Sequence, residues 1–214
     1  MALPASHATG MSIFSPTGER KYLTRKERAA FLNAAKRAPG PVNTLCMTLA
    51  FSGCRISEAL ALTSERVDVE TGVLVFESLK KRRDGVYRAV PVPPELFDTL
   101  DRVHSLGREH CSRKLWIMSR MTAWRRITEV MRRAGLRGAH ASPKGLRHGF
   151  GVAAVEAGVP LHLVQRWLGH AHIATTAIYA DVVGAEERSI AARMWTQPSL
   201  PTGQPVRNHD SHPG

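Results

Sequence analysis

The feature that most constrains the fold of this chain is one change of hydrophobic period in an otherwise helical pattern. Residues 73–76 (VLVF) and 86–90 (VYRAV) are short β-rich runs, and Asp84-Gly85 between them is a strong turn signal. Elsewhere the apolar residues recur at helical spacing. The sequence therefore predicts the α+β class, mainly α-helical with a small antiparallel β-sheet or hairpin. The hairpin tip is cationic and contains Lys80, Lys81, Arg82 and Arg83.

Helical segments are predicted on both sides of this hairpin. Thr24 and Glu27 have the spacing of a capping box, which opens a helix that ends near Arg37. The breaker Pro39-Gly40-Pro41 separates it from a second, apolar helix, and glycines and prolines divide the rest of the chain in the same way. This second helix covers residues 42–51. The further predicted helices cover residues 58–62, 95–106, 121–134, 144–157, 160–168, 175–179 and 185–195.

The domain organisation follows from length and composition. The chain has 214 residues, of which 43% are hydrophobic, and this is enough for one domain of ordinary size. We expect a flexible N-terminal arm over residues 1–20 and a single domain over residues 21–196. Residues 197–214 are rich in Pro, Gly, Ser, Asn and His and are expected to form a disordered tail.

Several classes of protein are disfavoured by the same sequence. No apolar run approaches the roughly 18 residues of a membrane-spanning helix, and the N-terminus lacks the hydrophobic stretch of a secretory signal. Cys46, Cys54 and Cys111 are scattered and form no Cys-x-x-Cys pair. His170 and His172 are close together, but no nearby residues complete a set of metal ligands. We therefore expect a cytoplasmic protein with no membrane contact and no metal.

The charge balance is strongly positive. Lysine and arginine number 30 and aspartate and glutamate 18, which leaves a formal net charge of +12. Such a surplus favours a polyanionic partner such as nucleic acid, although net charge of either sign also improves solubility. Arg125 and Arg126 lie on a predicted arginine-rich helix that is a candidate for backbone contact with DNA, and a solvated helix face is the alternative.

Four short patterns carry candidate chemistry, and each alone has an ordinary structural explanation. Arg55 at the start of a helix is typical of a surface ion pair, and Lys144 with Arg147 is typical of a solvated helix face. His170 after a glycine can cap a helix through the last carbonyls. Tyr179 can be a half-buried aromatic residue. The hairpin cations can likewise protect a sheet edge from pairing.

Taken in order, these patterns resemble those of the tyrosine recombinase (phage integrase) family. That family carries an early arginine, a lysine on a β-hairpin, His-or-Lys-x-x-Arg, a histidine or tryptophan, and then a tyrosine. The words TLAFSGCRISE at residues 48–58 and WLGHA at residues 167–171 match as well, and the resemblance runs from about Tyr22 to Trp195. It implies the catalytic-domain fold of this family. The matching site residues are Arg55, Lys80 or Lys81, Lys144, Arg147, His170 and Tyr179.

The resemblance implies a site-specific recombinase that breaks and rejoins DNA. The Tyr179 hydroxyl would attack a DNA phosphodiester and form a covalent 3′-phosphotyrosyl link, which splits one step into two and needs no ATP, metal or cofactor. Arg55 and Arg147 would clamp the transition state, because a planar guanidinium matches phosphate geometry. His170 would donate a hydrogen bond to the phosphate.

The resemblance leaves the acid and the base less defined. A hairpin lysine would protonate the leaving oxygen, and Lys80 is preferred over Lys81 because alternate strand residues face opposite sides. Lys144 occupies a position where most of the family carries histidine. It can bind phosphate but is a poor base unless its pKa is depressed. The base could then be the substrate, a water molecule or no particular group. His148 is expected to have a structural role or to support the site residues from behind, and it is not counted in the site.

The short N-terminal segment predicts a catalytic-domain-only member, without the separate clamping domain that many of these recombinases carry. Among such members are those that invert promoter segments for fimbrial phase variation. The expected partners are double-stranded DNA and other copies of the chain, in a homo-tetramer that exchanges the helix at residues 185–195, with Met194 and Trp195 as apolar anchors. DNA contacts are expected from Lys81, Arg82, Arg83, Arg125 and Arg126.

Two other functions remain open from the sequence. A type IB topoisomerase-like nicking-closing enzyme shares the same constellation of residues. A DNA-binding regulator with impaired catalysis is supported only by Lys144. The recombination site, the accessory proteins and the outcome (inversion, integration or resolution) do not follow from the sequence, because base recognition depends on a few contacts.

Overall fold

The computed structural model describes residues 12–78, 85–106 and 113–180. These residues contain eight α-helices and a three-stranded antiparallel sheet. A 3-10 turn at Ser64–Arg66 precedes the first strand. This architecture confirms the predicted mainly helical α+β class. The strands are β1 (Val67–Asp68), β2 (Val73–Glu77) and β3 (Tyr87–Pro91). The helices are α1 (Arg25–Ala35), α2 (Gly40–Ser52), α3 (Ile56–Leu60), α4 (Pro94–His104), α5 (Arg120–Arg133), α6 (Pro143–Glu156), α7 (Leu161–Leu168) and α8 (Ala174–Ala177).

The predicted capping box opens helix α1. The Thr24 hydroxyl accepts a hydrogen bond from the Glu27 N–H at 3.3 Å, and the Glu27 carboxylate accepts one from the Thr24 N–H at 2.8 Å. The same carboxylate pairs with the Arg20 guanidinium at 2.8 Å. The hydrogen bond from Arg20 lowers the pKa of Glu27 to about 2. Local sequence is sufficient to predict this helix start because all the partners lie within one turn or just before it.

The two predicted strands form the centre of the sheet. Strands β2 and β3 pair antiparallel in a register that runs from Val73 opposite Pro91 to Glu77 opposite Tyr87. The third strand, β1, was not predicted because two residues are too few to show a period of two. The tip cations Lys80, Lys81, Arg82 and Arg83 lie outside the described residues.

Helix α2 is the centre of the larger core. It is apolar on almost every side, with Leu45, Cys46 and Ala50 fully buried, because α1, α4 and α6 pack around it. A second cluster joins α6 and α7 with the segment after α8, through Phe150, Leu168 and other buried residues. These two clusters hold α6 on both sides, and α6 therefore supplies a rigid base for the candidate site.

Residues 12–20 differ from the flexible arm that was expected for residues 1–20. Ile13 is buried in the second cluster, and Phe14 pairs with Arg20 in an isolated antiparallel bridge. A single apolar residue in a short polar segment shows no period, so its burial could not be predicted. Residues 1–11, the predicted helix at 185–195 and the predicted tail at 197–214 lie outside the described residues. Within the described part, no helix is both long and apolar enough to cross a membrane.

Candidate active site

A tight reversal between α2 and α3 positions Arg55. Gly53 ends α2 in the left-handed conformation (φ 61°), and a Cβ there would lie 2.5 Å from the Phe150 ring. Only glycine fits this position. Arg55 then begins α3, its N–H donates to the Glu58 carboxylate at 2.8 Å, and its guanidinium donates to the same group at 2.6 Å. Arg55 is three-quarters buried, since 25% of its side chain is exposed.

Arg147 connects three segments of the chain. Its guanidinium donates to the carbonyl oxygen of Gly53 at 2.7 Å and to that of Leu168 at 2.6 Å. Burial, followed by the nearby charge of Arg55, lowers its pKa to about 10, so it remains protonated at neutral pH. The two carbonyl bonds hold the planar group in one orientation between the ends of α2 and α7.

His170 follows the end of α7. Gly169 adopts a left-handed conformation (φ 66°) there, and the His170 Nδ1 atom lies 2.9 Å from the Thr176 hydroxyl. Burial, together with the charges of Arg147 and Arg55, lowers the pKa of His170 to about 3. The imidazole is therefore neutral at physiological pH and can act as a hydrogen-bonding group rather than as a cation.

Tyr179 is fully buried just after α8. Its hydroxyl lies 3.1 Å from Nδ1 of His148, and its ring stacks beside the His170 ring with a centroid separation of 6.3 Å. Burial raises the pKa of the phenol, while the charges of Arg147 and Arg55 oppose that rise. The hydroxyl is therefore protonated at neutral pH in this structure.

The structure brings together four of the predicted site residues. Arg55 and Arg147 both influence the pKa of His170 and of Tyr179, so these four side chains share one electrostatic environment. Lys144 is exposed on the first turn of α6. A cavity of about 260 Å³ opens beside His170, between β3 and α7.

The remaining predicted residues lie elsewhere. Arg125 and Arg126 are exposed on α5, which agrees with both a DNA-contacting and a merely solvated face. The predicted general acid, Lys80 or Lys81, belongs to the part of the chain outside the described residues.

Three residues next to the site were not predicted to belong to it. The Glu58 carboxylate accepts from Arg55 and also from Arg88 on β3, at 2.7 Å, and Arg88 further donates to the Trp167 carbonyl at 2.8 Å. Two signals could have revealed this pair: Glu58 stands three residues after Arg55 at a helix start, and Arg88 is a charge at an inward strand position. The third residue is His148, whose contact with Tyr179 has no local signal.

The resulting fold is that of tyrosine recombinase catalytic domains. A crystal structure of XerA recombinase superposes with a TM-score of 0.68 at 24% identity, covering 83% of this chain and 66% of that one. The XerH site-specific recombinase in a pre-cleavage complex with its difH substrate gives a TM-score of 0.67 at 21% identity, covering 85% and 59% of the two chains. At these identities the likeness establishes the fold.

Sequence comparison gives the family. The profile of the Phage integrase family matches residues 21–186, and the chain therefore belongs to that family. Tyrosine recombinase XerA of Thermococcus kodakarensis is 30% identical over 173 residues, covering 78% of this chain and 60% of XerA. Tyrosine recombinase XerD of Mycobacterium tuberculosis is 32% identical over 189 residues, covering 78% and 59%. The chain thus spans about 60% of the length of these curated relatives.

Acidification is expected to destabilise the fold well above the range in which most carboxylates titrate. The pKa values of His148 and His170 fall from 6.5 to about 4 and about 3 on folding. Below pH 6.5 these two histidines bind protons in the unfolded chain but not in the folded chain. The stability that they contribute is therefore fully present above pH 6.5 and is lost as the pH falls toward their folded pKa values. Urea unfolding at about pH 7.5, 6 and 4.5 measures this loss. Equal stability at all three pH values would contradict the expectation.

A methyl group at Gly151 is expected to destabilise the site. A Cβ there would lie 2.6 Å from the Tyr179 ring, which is fully buried and has little room to move. Gly151→Ala should therefore lower the free energy of unfolding by about 1–3 kcal/mol, as overpacking does in other cores. Urea unfolding checks this value, with Ala153→Ser at a half-buried position of the same helix as a control. A Gly151→Ala variant as stable as the parent would show that the ring is not held against α6.

Proposed function

We propose that this chain is a site-specific DNA recombinase that cleaves and rejoins DNA strands through a covalent 3′-phosphotyrosine at Tyr179. The observation that carries this proposal is the convergence of Tyr179 with Arg55, Arg147 and His170. Arg147 donates to the carbonyls of Gly53 and Leu168, each two residues before Arg55 or His170, and the His170 ring stacks beside the Tyr179 ring. The curated relatives named above support it, since both are tyrosine recombinases. The boundaries of the catalytic domain remain those proposed from the sequence, residues 21–196.

The two arginines stabilise the negative charge that develops on the phosphate oxygens. Each guanidinium has five N–H groups, and the carbonyl bonds of Arg147 use only some of them. Because its orientation is already set by Gly53 and Leu168, Arg147 needs no reorganisation when the transition state forms. Preorganised donors of this kind are typically worth about 3–4 kcal/mol each in enzymes.

The other predicted groups complete the reaction. Neutral His170 donates a hydrogen bond to a phosphate oxygen, and a hairpin lysine, Lys80 in preference to Lys81, protonates the leaving 5′-oxygen. Exposed Lys144 binds phosphate. The phosphotyrosyl bond retains the energy of the broken bond, so a free 5′-hydroxyl rejoins the strand without a cofactor.

The partners proposed are double-stranded DNA and further copies of the chain. The net charge of +12 and the exposed Arg125 and Arg126 support contact with the DNA backbone, together with Lys81, Arg82 and Arg83. A homo-tetramer that exchanges the helix at residues 185–195, a cytoplasmic location and a role in a mobile element or in DNA inversion are proposed on the family resemblance.

A nicked suicide substrate tests this function. Nicked duplexes made from inverted repeats that flank the gene are incubated with the whole chain, and SDS-stable protein–DNA complexes are digested for mass spectrometry. A nucleotide adduct on the peptide that contains Tyr179, with a free 5′-hydroxyl on the other DNA end, is the expected result. An adduct on another residue would overturn the proposal.

The alternatives predict different results in the same assay. DNA binding without any covalent complex would favour the regulator, for which the exposed position of Lys144 is the structural argument. Relaxation of supercoiled plasmids that lack any such repeat, by the monomer, would favour the topoisomerase-like enzyme.

A further inference from the structure

His148 is the residue in contact with the atom that would attack DNA. Its Nδ1 atom lies 3.1 Å from the Tyr179 hydroxyl oxygen, and both side chains are buried. The other ring nitrogen, Nε2, is also buried and makes no hydrogen bond with any described residue. A buried histidine that served only to connect segments of the chain would be expected to form hydrogen bonds through both of its ring nitrogens. In the part of the chain that the structure describes, the polar contact of this ring is with Tyr179.

We propose that His148 is the general base of the reaction, which rests on the proposed function of Tyr179 as nucleophile. In cleavage, the phenolic proton moves from Tyr179 to Nδ1 of His148 as the phenolic oxygen bonds to phosphorus. The bond from phosphorus to the 5′-oxygen breaks, and that oxygen takes a proton from the hairpin lysine. In rejoining, the imidazolium returns its proton to the oxygen of Tyr179.

The position of Lys144 explains why the base must be found elsewhere. Lys144 is exposed on the first turn of α6. Among the described residues, the side chain in hydrogen-bond contact with the Tyr179 hydroxyl is that of His148 and not that of Lys144. His148 lies one turn further along the same helix, at the buried end of the site.

The surroundings of His148 keep it ready to accept a proton. Burial and then the charges of Lys144, Arg147 and Lys21 lower its pKa to about 4, so the ring is neutral and one nitrogen has a free electron pair. Tyr179 and the neutral His170 also face His148 among the described residues. A bound phosphate adds negative charge beside these cations and offsets their effect. Protonation of the His148 ring therefore becomes favourable only when DNA occupies the site.

His148→Asn separates proton transfer from hydrogen bonding. An asparagine Oδ1 atom falls near the position of Nδ1 and can accept the tyrosine hydrogen bond, but it cannot take the proton. The rate of covalent complex formation on the nicked substrate at pH 7 is expected to fall about 10²- to 10⁴-fold, as for loss of a general base. His140→Gln, a histidine paired with Glu27 outside the site, is the matched control and should retain the parental rate.

The pH profile gives a readout that a structural role would not change. Without the base, attack requires the phenolate, so the rate of the variant should rise about tenfold per pH unit below the pKa of Tyr179. The rate of the parent should change little over the same range, so the deficit should shrink as the pH rises. A deficit that stays constant with pH would overturn the proposal, as would a His148→Asn rate within threefold of the parent.

A modified substrate distinguishes the base from the acid. A 5′-bridging phosphorothiolate leaves as a thiolate, which needs no proton, so it should rescue a variant that lacks the acid but not His148→Asn. Rescue of His148→Asn to the parental rate would assign His148 to the leaving group and overturn the proposal. If the asparagine variant does not fold, His148→Gln is measured in the same way. Because the parent protein must form the complex first, failure of the proposed function is seen separately.

Discussion

Replacement of Tyr179 by phenylalanine is expected to abolish covalent complex formation on nicked DNA. The change removes the nucleophilic oxygen and leaves the ring, which continues to pack against His170 and closely against Gly151. Loss of the hydrogen bond to His148 should lower the free energy of unfolding by only about 1–3 kcal/mol. Denaturing gels measure the complex, and gel-shift assays should show unchanged binding of DNA.

Tyr22→Phe is the control for this experiment. Tyr22 also loses one hydroxyl, but its ring packs edge-to-face on Phe14 at the edge of the second apolar cluster, and its hydroxyl makes no hydrogen bond with a described site residue. We expect this variant to form the covalent complex at the parental rate. Persistence of the complex in Tyr179→Phe would mean that a different residue attacks the DNA.

Glu58→Gln is expected to produce the largest loss of stability. Only 1% of the Glu58 side chain and 6% of the Arg88 side chain are exposed, and they form an ion pair at 2.7 Å. Although burial raises the pKa of Glu58, Arg88, Arg55 and the Arg55 N–H lower it below its usual value, so the group is a carboxylate. Its neutralisation leaves Arg88 charged and buried. Breaking such a pair from one side typically costs about 3–5 kcal/mol.

Urea unfolding measures this loss, and Glu129→Gln provides the comparison. Glu129 also joins two arginines, Arg132 and Arg133 at 2.9 Å each, but it does so on the exposed face of α5. Exposed pairs of this kind contribute about 0–1 kcal/mol, so this variant should change stability little. A Glu58→Gln variant that loses no more than Glu129→Gln would show that the buried network does not hold the site together.

The same network links stability to function. Glu58 orients Arg55 through two hydrogen bonds, and Arg88 connects it to the end of α7 just before His170. A Glu58→Gln variant that remains folded at low temperature is therefore expected to form the covalent complex more slowly than the parent.

Much of the site could be predicted because its motifs are local. Arg55 starts a helix after a glycine turn, Arg147 lies within the first turns of α6, and His170 follows the glycine that ends α7. Glycine turns and helix starts act over a few residues, so short patterns can mark these positions along the chain. The resemblance to the tyrosine recombinase family then implied which of these side chains would act together.

Other features could not be predicted because they depend on contacts between distant segments. Glu58 and Arg88 are 30 residues apart, and Arg147 reaches a carbonyl 94 residues away. The burial of Ile13 and the short strand β1 also depend on neighbours that no local period reveals. The exposure of Lys144 likewise follows from the way α6 packs and not from its place in a motif.

By itself the sequence determined the mainly helical class and the central pair of strands, because periodicity, caps and turn residues act over a few positions. The candidate site residues came from the resemblance of its motifs to those of a known family. Tertiary structure alone decided that His148 contacts Tyr179 across 31 residues and that both are buried. Burial beside fixed cations is what separates their pKa values from those of exposed histidine and tyrosine. That environment exists only when α6 and the segment after α8 pack together.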